Sequence, residues 1–98
     1  MAARRSRFGR ALVEVLAAAE MTQRGFAKHV GVVSGTLRAV ISGKRKPKIE
    51  DLEPWADALG LRGATRLAFL EEGWLALSPP QVAGIVDGLR AELAKRAR

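Results

Sequence analysis

Apolar residues recur at intervals of three and four along almost the whole of this 98-residue chain. Phe8, Leu12 and Val15 begin the pattern, and this spacing places side chains on one face of an α-helix. No stretch alternates apolar and polar residues in the manner of a half-buried strand. The pattern therefore predicts an all-α fold of short helices, separated where glycine or proline interrupts it.

Three helices are predicted before the middle of the chain. The first covers about residues 8–19. A second, over 22–30 with Thr22 as its N-cap, is predicted to stop at Gly31, because glycine tolerates the left-handed conformation that ends many helices. A third is predicted over 34–42, with Gly43 as its stop signal.

Three more helices are predicted beyond the basic loop 44–48. The fourth is expected to begin near Asp51 and end at Gly60, which would leave Pro54 in the first turn, where no amide donor is required. A long last helix is expected from Pro80 onward. The fifth helix is expected from about Thr65, with one apolar stripe formed by Leu67, Leu70, Trp74 and Leu77.

The length fits a single domain with an appended element. We expect a flexible basic arm over residues 1–7, a helical unit over 8–61 and a helical extension over 62–98. The chain contains no cysteine and one histidine, which excludes disulfides, thiolate zinc sites and multi-histidine metal sites. We therefore expect no cofactor and no metal. No apolar run is long enough to cross a bilayer, so no membrane partner is expected.

Positive charge is concentrated in the first half of the chain. Residues 1–48 hold eleven Lys and Arg against two Glu, whereas residues 49–98 hold six against eight acids. The stretch 21–48 contains seven cations and no acid at all. Such a one-signed surface favours a polyanion as partner, the alternative being a solubilising face.

The stretch 21–47 resembles the helix-turn-helix of the lambda-repressor-like family, which includes Cro, the phage repressors and the xenobiotic response element proteins. The resemblance covers residues 8–61 and implies a bundle of four to five short helices that binds double-stranded DNA. The matching elements are Thr22-Gln23, Phe26-Ala27, Gly31, Thr36-Leu37, Val40, Gly43, the run Lys44-Arg45-Lys46-Pro47, and Ala56 to Leu61.

The polar face of the predicted third helix lies opposite Leu37 and Val40. On this face Arg38 is a candidate for the commonest base-specific contact, two hydrogen bonds to guanine, and the alternatives are a phosphate contact or solvent. Because the chain has no asparagine, Val33 or Ala39 would contact thymine methyl groups in place of an Asn–adenine pair. The predicted base-contacting residues are Val33, Ser34, Gly35, Thr36, Arg38 and Ala39.

Phosphate contacts are expected on both sides of this helix. The resemblance implies a phosphate clamp at Gln23, and backbone amides near Gly43 are expected to hold further phosphates. Ser34 stands where family members often carry a second glutamine, so their base preference does not transfer. Arg4, Arg5 and Arg7 either follow the DNA or belong to a disordered terminus. The predicted phosphate-contacting residues are Gln23, Arg24, Lys28, Ser42, Lys44, Arg45 and Lys46.

Residues 62–98 carry more apolar surface than one helix pair needs. One reading is dimerisation, which would set two DNA-binding units about 34–36 Å apart on the duplex. The other is that these residues cover the core of the first unit. The predicted dimerisation residues are Trp74, Leu77, Val82, Val86, Leu89 and Leu93.

These features predict a sequence-specific regulator of transcription, a repressor acting as a homodimer on an inverted-repeat operator in the cytoplasm, associated with the nucleoid. One alternative is an antitoxin-type module that binds a partner such as a toxin through its C-terminal helices. Another is a sequence-neutral architectural protein. An enzyme is not expected, because His29 has no second catalytic group and the adjacent Glu71 and Glu72 point about 100° apart.

Overall fold

The computed structural model describes residues 4–97, so the first three residues of the predicted arm and the last residue of the predicted extension lie outside it. Over this range the chain is all-α, with no strand, as the apolar spacing predicts. None of the helices in the described range is both long and apolar enough to cross a membrane. The helices are α1 (Arg7–Ala18), α2 (Gln23–Val30), α3 (Ser34–Ser42), α4 (Ile49–Ala58), α5 (Gly63–Leu77) and α6 (Pro80–Arg96).

The bounds of α2 and α3 confirm the sequence prediction. The Thr22 hydroxyl accepts a hydrogen bond from the Gly25 amide and caps α2. Gly31 and Gly43 end α2 and α3 with positive φ angles of 76° and 90°, a conformation that costs glycine little. These stops keep both helices short. A turn of three residues separates α2 from α3.

Three helix starts differ from prediction, and the simplest case is the fifth helix, which begins at Gly63 rather than near Thr65. The first helix begins at Arg7 because the Ser6 hydroxyl accepts from the Gly9 amide and serves as its N-cap. Arg7 is therefore helical and does not continue the extended arm. The fourth helix begins at Ile49, so the expectation that Pro54 occupies its first turn is wrong. Pro54 lies in the second turn, where it has no amide to donate to the carbonyl four residues earlier.

The core is formed by α1 to α5. Phe8 and Phe69 pack with ring centroids 5.5 Å apart, and Phe26 meets Trp55 edge to face at 5.6 Å. Helix α1 lies so close to α3 that a Cβ on Gly9 would come within 1.9 Å of the Ile41 carbonyl oxygen. The buried apolar residues are Phe8, Leu12, Leu16, Phe26, Ala27, Leu37, Val40, Ile41, Leu52, Trp55, Ala56, Leu59, Phe69 and Leu70.

The inward face of α5 differs from the predicted stripe. Phe69, Leu70 and Gly73 are buried, whereas Leu67 and Trp74, which the spacing assigned to the same face as Leu70, are exposed. Helix α6 has no buried residue. Its backbone packs closely only against α5 among the described helices, so its outer surface is free of intramolecular cover.

Candidate nucleic-acid interface

A groove of about 530 Å³ runs along one flank of α3, and we call it the α3 groove. It brings together six of the residues predicted to contact DNA, from three segments of the sequence. The predicted members are Gln23, Gly35, Arg38, Ala39, Ser42 and Lys44, and they are joined by Arg4, Arg5 and Ile41.

A smaller groove of about 190 Å³ lies on the opposite flank of α3. Val33 and Thr36 line it from α3 and its N-cap, and Arg45 and Lys46 line it from the following loop. Asp51 also lines this groove, which makes it less uniformly cationic than the first. Val33 is 73% exposed, so its methyl groups are available to a ligand.

Three predicted residues lie outside both grooves. Arg24 and Lys28 are exposed on α2, and Ser34 is half-buried at the start of α3. Any contact of Arg24 or Lys28 with a polyanion therefore occurs on the α2 surface rather than in a groove beside α3.

The α3 groove is cationic and its charge is not neutralised. In the part of the chain that the structure describes, Arg4, Arg5, Arg38 and Lys44 line it and no acidic side chain does. The ion pairs found among residues 4–97 use Arg7, Arg66 and Arg90, and none uses a cation of residues 21–48. The groove therefore presents four positive charges to an anionic ligand.

The expectation that backbone amides near Gly43 hold phosphates is wrong for two of them. The Gly43 amide donates to the carbonyls of Ala39 and Val40, and the Arg45 amide donates to Ala39 at 3.1 Å. These bonds satisfy the carbonyls that a helix leaves unpaired at its C-terminus. The Ser42 hydroxyl also donates to Ala39. The amides of Gly43 and Arg45 are therefore not available to an anion.

The sequence pattern missed the tie between residue 6 and the end of α3. The Ser6 amide donates to the Ile41 carbonyl at 2.9 Å, and the Ser6 hydroxyl lies 3.3 Å from the same oxygen. Ile41 itself is buried in the core. A serine two residues before an apolar stripe signals an N-cap, but no sequence signal shows that it also reaches a residue 35 positions away.

Arg7 lies at the centre of an ion-pair cluster that joins α1 to α5 and α6. Its guanidinium makes two hydrogen bonds to Glu72, at 2.7 and 3.0 Å, and two to Asp87, at 2.9 and 3.0 Å. These hydrogen bonds, of which those to Asp87 have the larger effect and those to Glu72 the smaller, raise the pKa of Arg7. In return Arg7 lowers the pKa of Asp87. Arg90 adds ion pairs to Glu71 and Glu72.

The predicted dimerisation residues fall into two groups. Leu77, Val82 and Val86 are half-buried, whereas Trp74, Leu89 and Leu93 are exposed by 43%, 59% and 65%. Ile85, which was not predicted, is exposed by 62% and lies on the same side of α6 as Leu89. The exposed apolar face of α6 thus consists of Ile85, Leu89 and Leu93, and we call it the α6 face.

Comparisons with known proteins bring no relative: no protein-family model, no curated protein and no solved structure matches the chain.

Proposed function

We propose that this protein is a sequence-specific double-stranded DNA-binding regulator of transcription. The observation that carries the proposal is the α3 groove, in which Arg38 and three further cations face solvent without an acidic neighbour among the described residues. DNA carries one negative charge about every 1.7 Å along its axis, so a groove of this charge gains affinity through counterion release.

The arrangement of α2 and α3 supports a helix-turn-helix of the lambda-repressor-like type. Two short helices joined by the Gly31 turn leave the surface of the second helix open on both flanks. In a helix-turn-helix the second helix enters the major groove, which is about 12 Å wide. In this role α3 would present Arg38 to base edges, with Gln23 and Lys44 beside it for the phosphates.

Arg38 has the chemistry required for reading a base. A guanidinium donates two parallel hydrogen bonds to the O6 and N7 atoms of guanine, which is worth about 1–3 kcal/mol of discrimination against other bases. Gly35 and Ala39 line the groove beside it, and their small size permits close approach of the duplex. Gln23 and Lys44 set register without reading sequence.

We further propose that two copies act together as a repressor at an inverted-repeat operator, in the cytoplasm and associated with the nucleoid. The α6 face supports this proposal because it exposes three large aliphatic side chains on one helix. The same face supports a second candidate, an antitoxin-type module whose C-terminal helices bind a different protein. The size of the complex formed by the pure chain separates the two.

The test of the proposed function is selection of bound duplexes from a randomised pool, at two salt concentrations, followed by sequencing. We expect an enriched inverted repeat, and we expect Arg38→Ala to lose the preference at one base of each half-site. Arg62→Ala removes an arginine outside the α3 groove and is the matched control. Salt-sensitive binding without an enriched motif would instead identify an architectural protein, and absence of binding would overturn DNA recognition.

A further inference from the structure

The N-terminal segment is fixed where it enters α1, at the N-cap Ser6 and at Arg7, the first residue of the helix. Ser6 is bound to the C-terminal end of α3 through its amide, which donates to the Ile41 carbonyl at 2.9 Å. Its hydroxyl accepts from the Gly9 amide at 3.0 Å and caps α1. One residue therefore joins the start of α1 to the end of α3.

Arg7 fixes the same segment on its other side. Its guanidinium bonds with both oxygens of Glu72 on α5 and both oxygens of Asp87 on α6. Two bidentate pairs hold a planar guanidinium in one orientation more firmly than a single contact does. Residues 6 and 7 thus tie the segment to α3, α5 and α6.

This double attachment determines where the two preceding arginines lie. Arg4 and Arg5 line the α3 groove, together with Gln23, Arg38 and Lys44. Both are exposed, and neither takes part in an ion pair among the described residues. Because the adjacent Ser6 is anchored, Arg4 and Arg5 stay beside α3. They therefore lose less conformational entropy on binding a ligand than a free terminus would lose.

We propose that Arg4 and Arg5 bind phosphates of the same DNA duplex that α3 reads, as a second cationic wall of the α3 groove. This inference rests on the proposed function and adds two binding residues to it. Guanidinium groups pair with phosphate oxygens in a bidentate manner, and the groove offers no carboxylate within residues 4–97 that would compete. Arg7 does not bind DNA in this arrangement, because Glu72 and Asp87 already engage its guanidinium through four hydrogen bonds.

The test compares two double variants of the full chain that remove the same amount of charge. Arg4→Gln with Arg5→Gln removes the proposed phosphate-binding groups, and Lys95→Gln with Arg96→Gln removes two cations at the far end of α6. For each variant, the DNA association constant of one selected duplex is measured over a series of salt concentrations. The logarithm of the association constant is plotted against the logarithm of the salt concentration. The slope of this plot decreases in magnitude by about 0.9 for each phosphate that is no longer neutralised.

We expect the slope of the first variant to decrease in magnitude by about 1.8, the second variant to keep the wild-type slope, and both to select the same motif. Equal slopes in the two variants would overturn the inference, as would a slope unchanged with an altered base preference. Failure of the wild-type chain to bind any duplex would overturn the proposed function itself. Both variants should unfold at the same midpoint as the wild-type chain, because the replaced side chains precede α1 or end α6. This comparison checks that neither variant is structurally damaged.

Discussion

The region around α3, which we call one end of the molecule, and the region of α5 and α6, the other end, differ in the kind of side chain that they expose without a partner. Around α3, the cations lie in the open, and the apolar side chains of the helix itself, Leu37 and Val40 among them, are buried, with Val33 at its N-cap as the exposed exception. Around α5 and α6 the reverse holds, because Arg7 and Arg90 are paired with acids while Leu89 and Leu93 are exposed. One end therefore offers charge to a partner, and the other offers apolar surface.

The proposed function assigns a partner of different chemistry to each end. A surface of unpaired cations suits a polyanion such as DNA, because the protein's cations take the place of the counterions condensed on the phosphates, which are released. An exposed aliphatic face suits a protein surface, because burying it removes apolar area from water at about 25 cal/mol per Å². The ion-pair cluster around Arg7 lies between the two ends and connects them through three helices.

The largest expected effect tests the difference in packing. Phe26 is fully buried and contacts Trp55, so Phe26→Ala should lower the free energy of unfolding by about 3–5 kcal/mol. Leu89→Ala should cost less than about 0.5 kcal/mol in the monomer, because its side chain is exposed. Denaturant unfolding of both variants, at concentrations low enough to prevent self-association, checks the contrast. Similar costs would mean that α6 belongs to the core.

How much of the fold the sequence predicts depends on whether the signals are local. The start of α2 and the ends of α2 and α3 follow from Thr22, Gly31 and Gly43, whose effects act within one turn of their own positions. The start of α4 does not follow from local signals. Tertiary packing of Leu52 and Trp55 outweighs the cost of placing Pro54 in the second turn. Local propensity could not reveal that balance.

The second expected effect concerns the α6 face. If this face joins two copies, Leu89→Ser with Leu93→Ser should weaken self-association by roughly 2–3 kcal/mol, on the order of 100-fold in the dissociation constant. Ala91→Ser, on the opposite side of the same helix, is the control. Sedimentation over a dilution series provides the measurement. A wild-type chain that remains monomeric throughout would exclude the homodimer and favour a different protein partner.

The candidate site could be predicted only in part from the sequence, because some of its contacts join residues that are far apart along the chain. The face containing Arg38 follows from helical periodicity, and the structure places six of the predicted residues in one groove. The position of Arg4 and Arg5 beside α3 depends on the hydrogen bonding between Ser6 and Ile41, which are 35 residues apart. Likewise Glu72, which sequence reasoning assigns no partner, is held by Arg7 and Arg90.

A smaller effect is expected from the connection between the two ends. Arg7→Gln removes both bidentate pairs but leaves the core intact, and partly exposed ion pairs contribute little. We expect a decrease of about 1 kcal/mol in the free energy of unfolding, the upper end for such pairs. Arg66→Gln removes a single pair to the exposed Asp57 and should cost less. A thermal melt of each variant measures this, and equal midpoints for the two variants would contradict a special role for Arg7.

The smallest expected effect is the pH dependence of that connection. The hydrogen bonds from Arg7 lower the pKa of Asp87 below its ordinary value of 3.8. The unfolded chain therefore binds this proton more readily than the folded chain. The stabilising contribution of Asp87 is full well above this ordinary value, begins to decline near it, and disappears as the pH falls through the lowered pKa of the folded state.

Asp87→Asn makes this prediction measurable, because asparagine cannot titrate. The difference in unfolding midpoint between the wild-type chain and Asp87→Asn should be constant from neutral pH to about pH 5 and should shrink as the solution is acidified further. Asp57→Asn, at a single exposed pair, is the matched control and should show a smaller difference at neutral pH. A difference that does not change on acidification would mean that Asp87 contributes through packing rather than through its charge, and that the link between the two ends is steric.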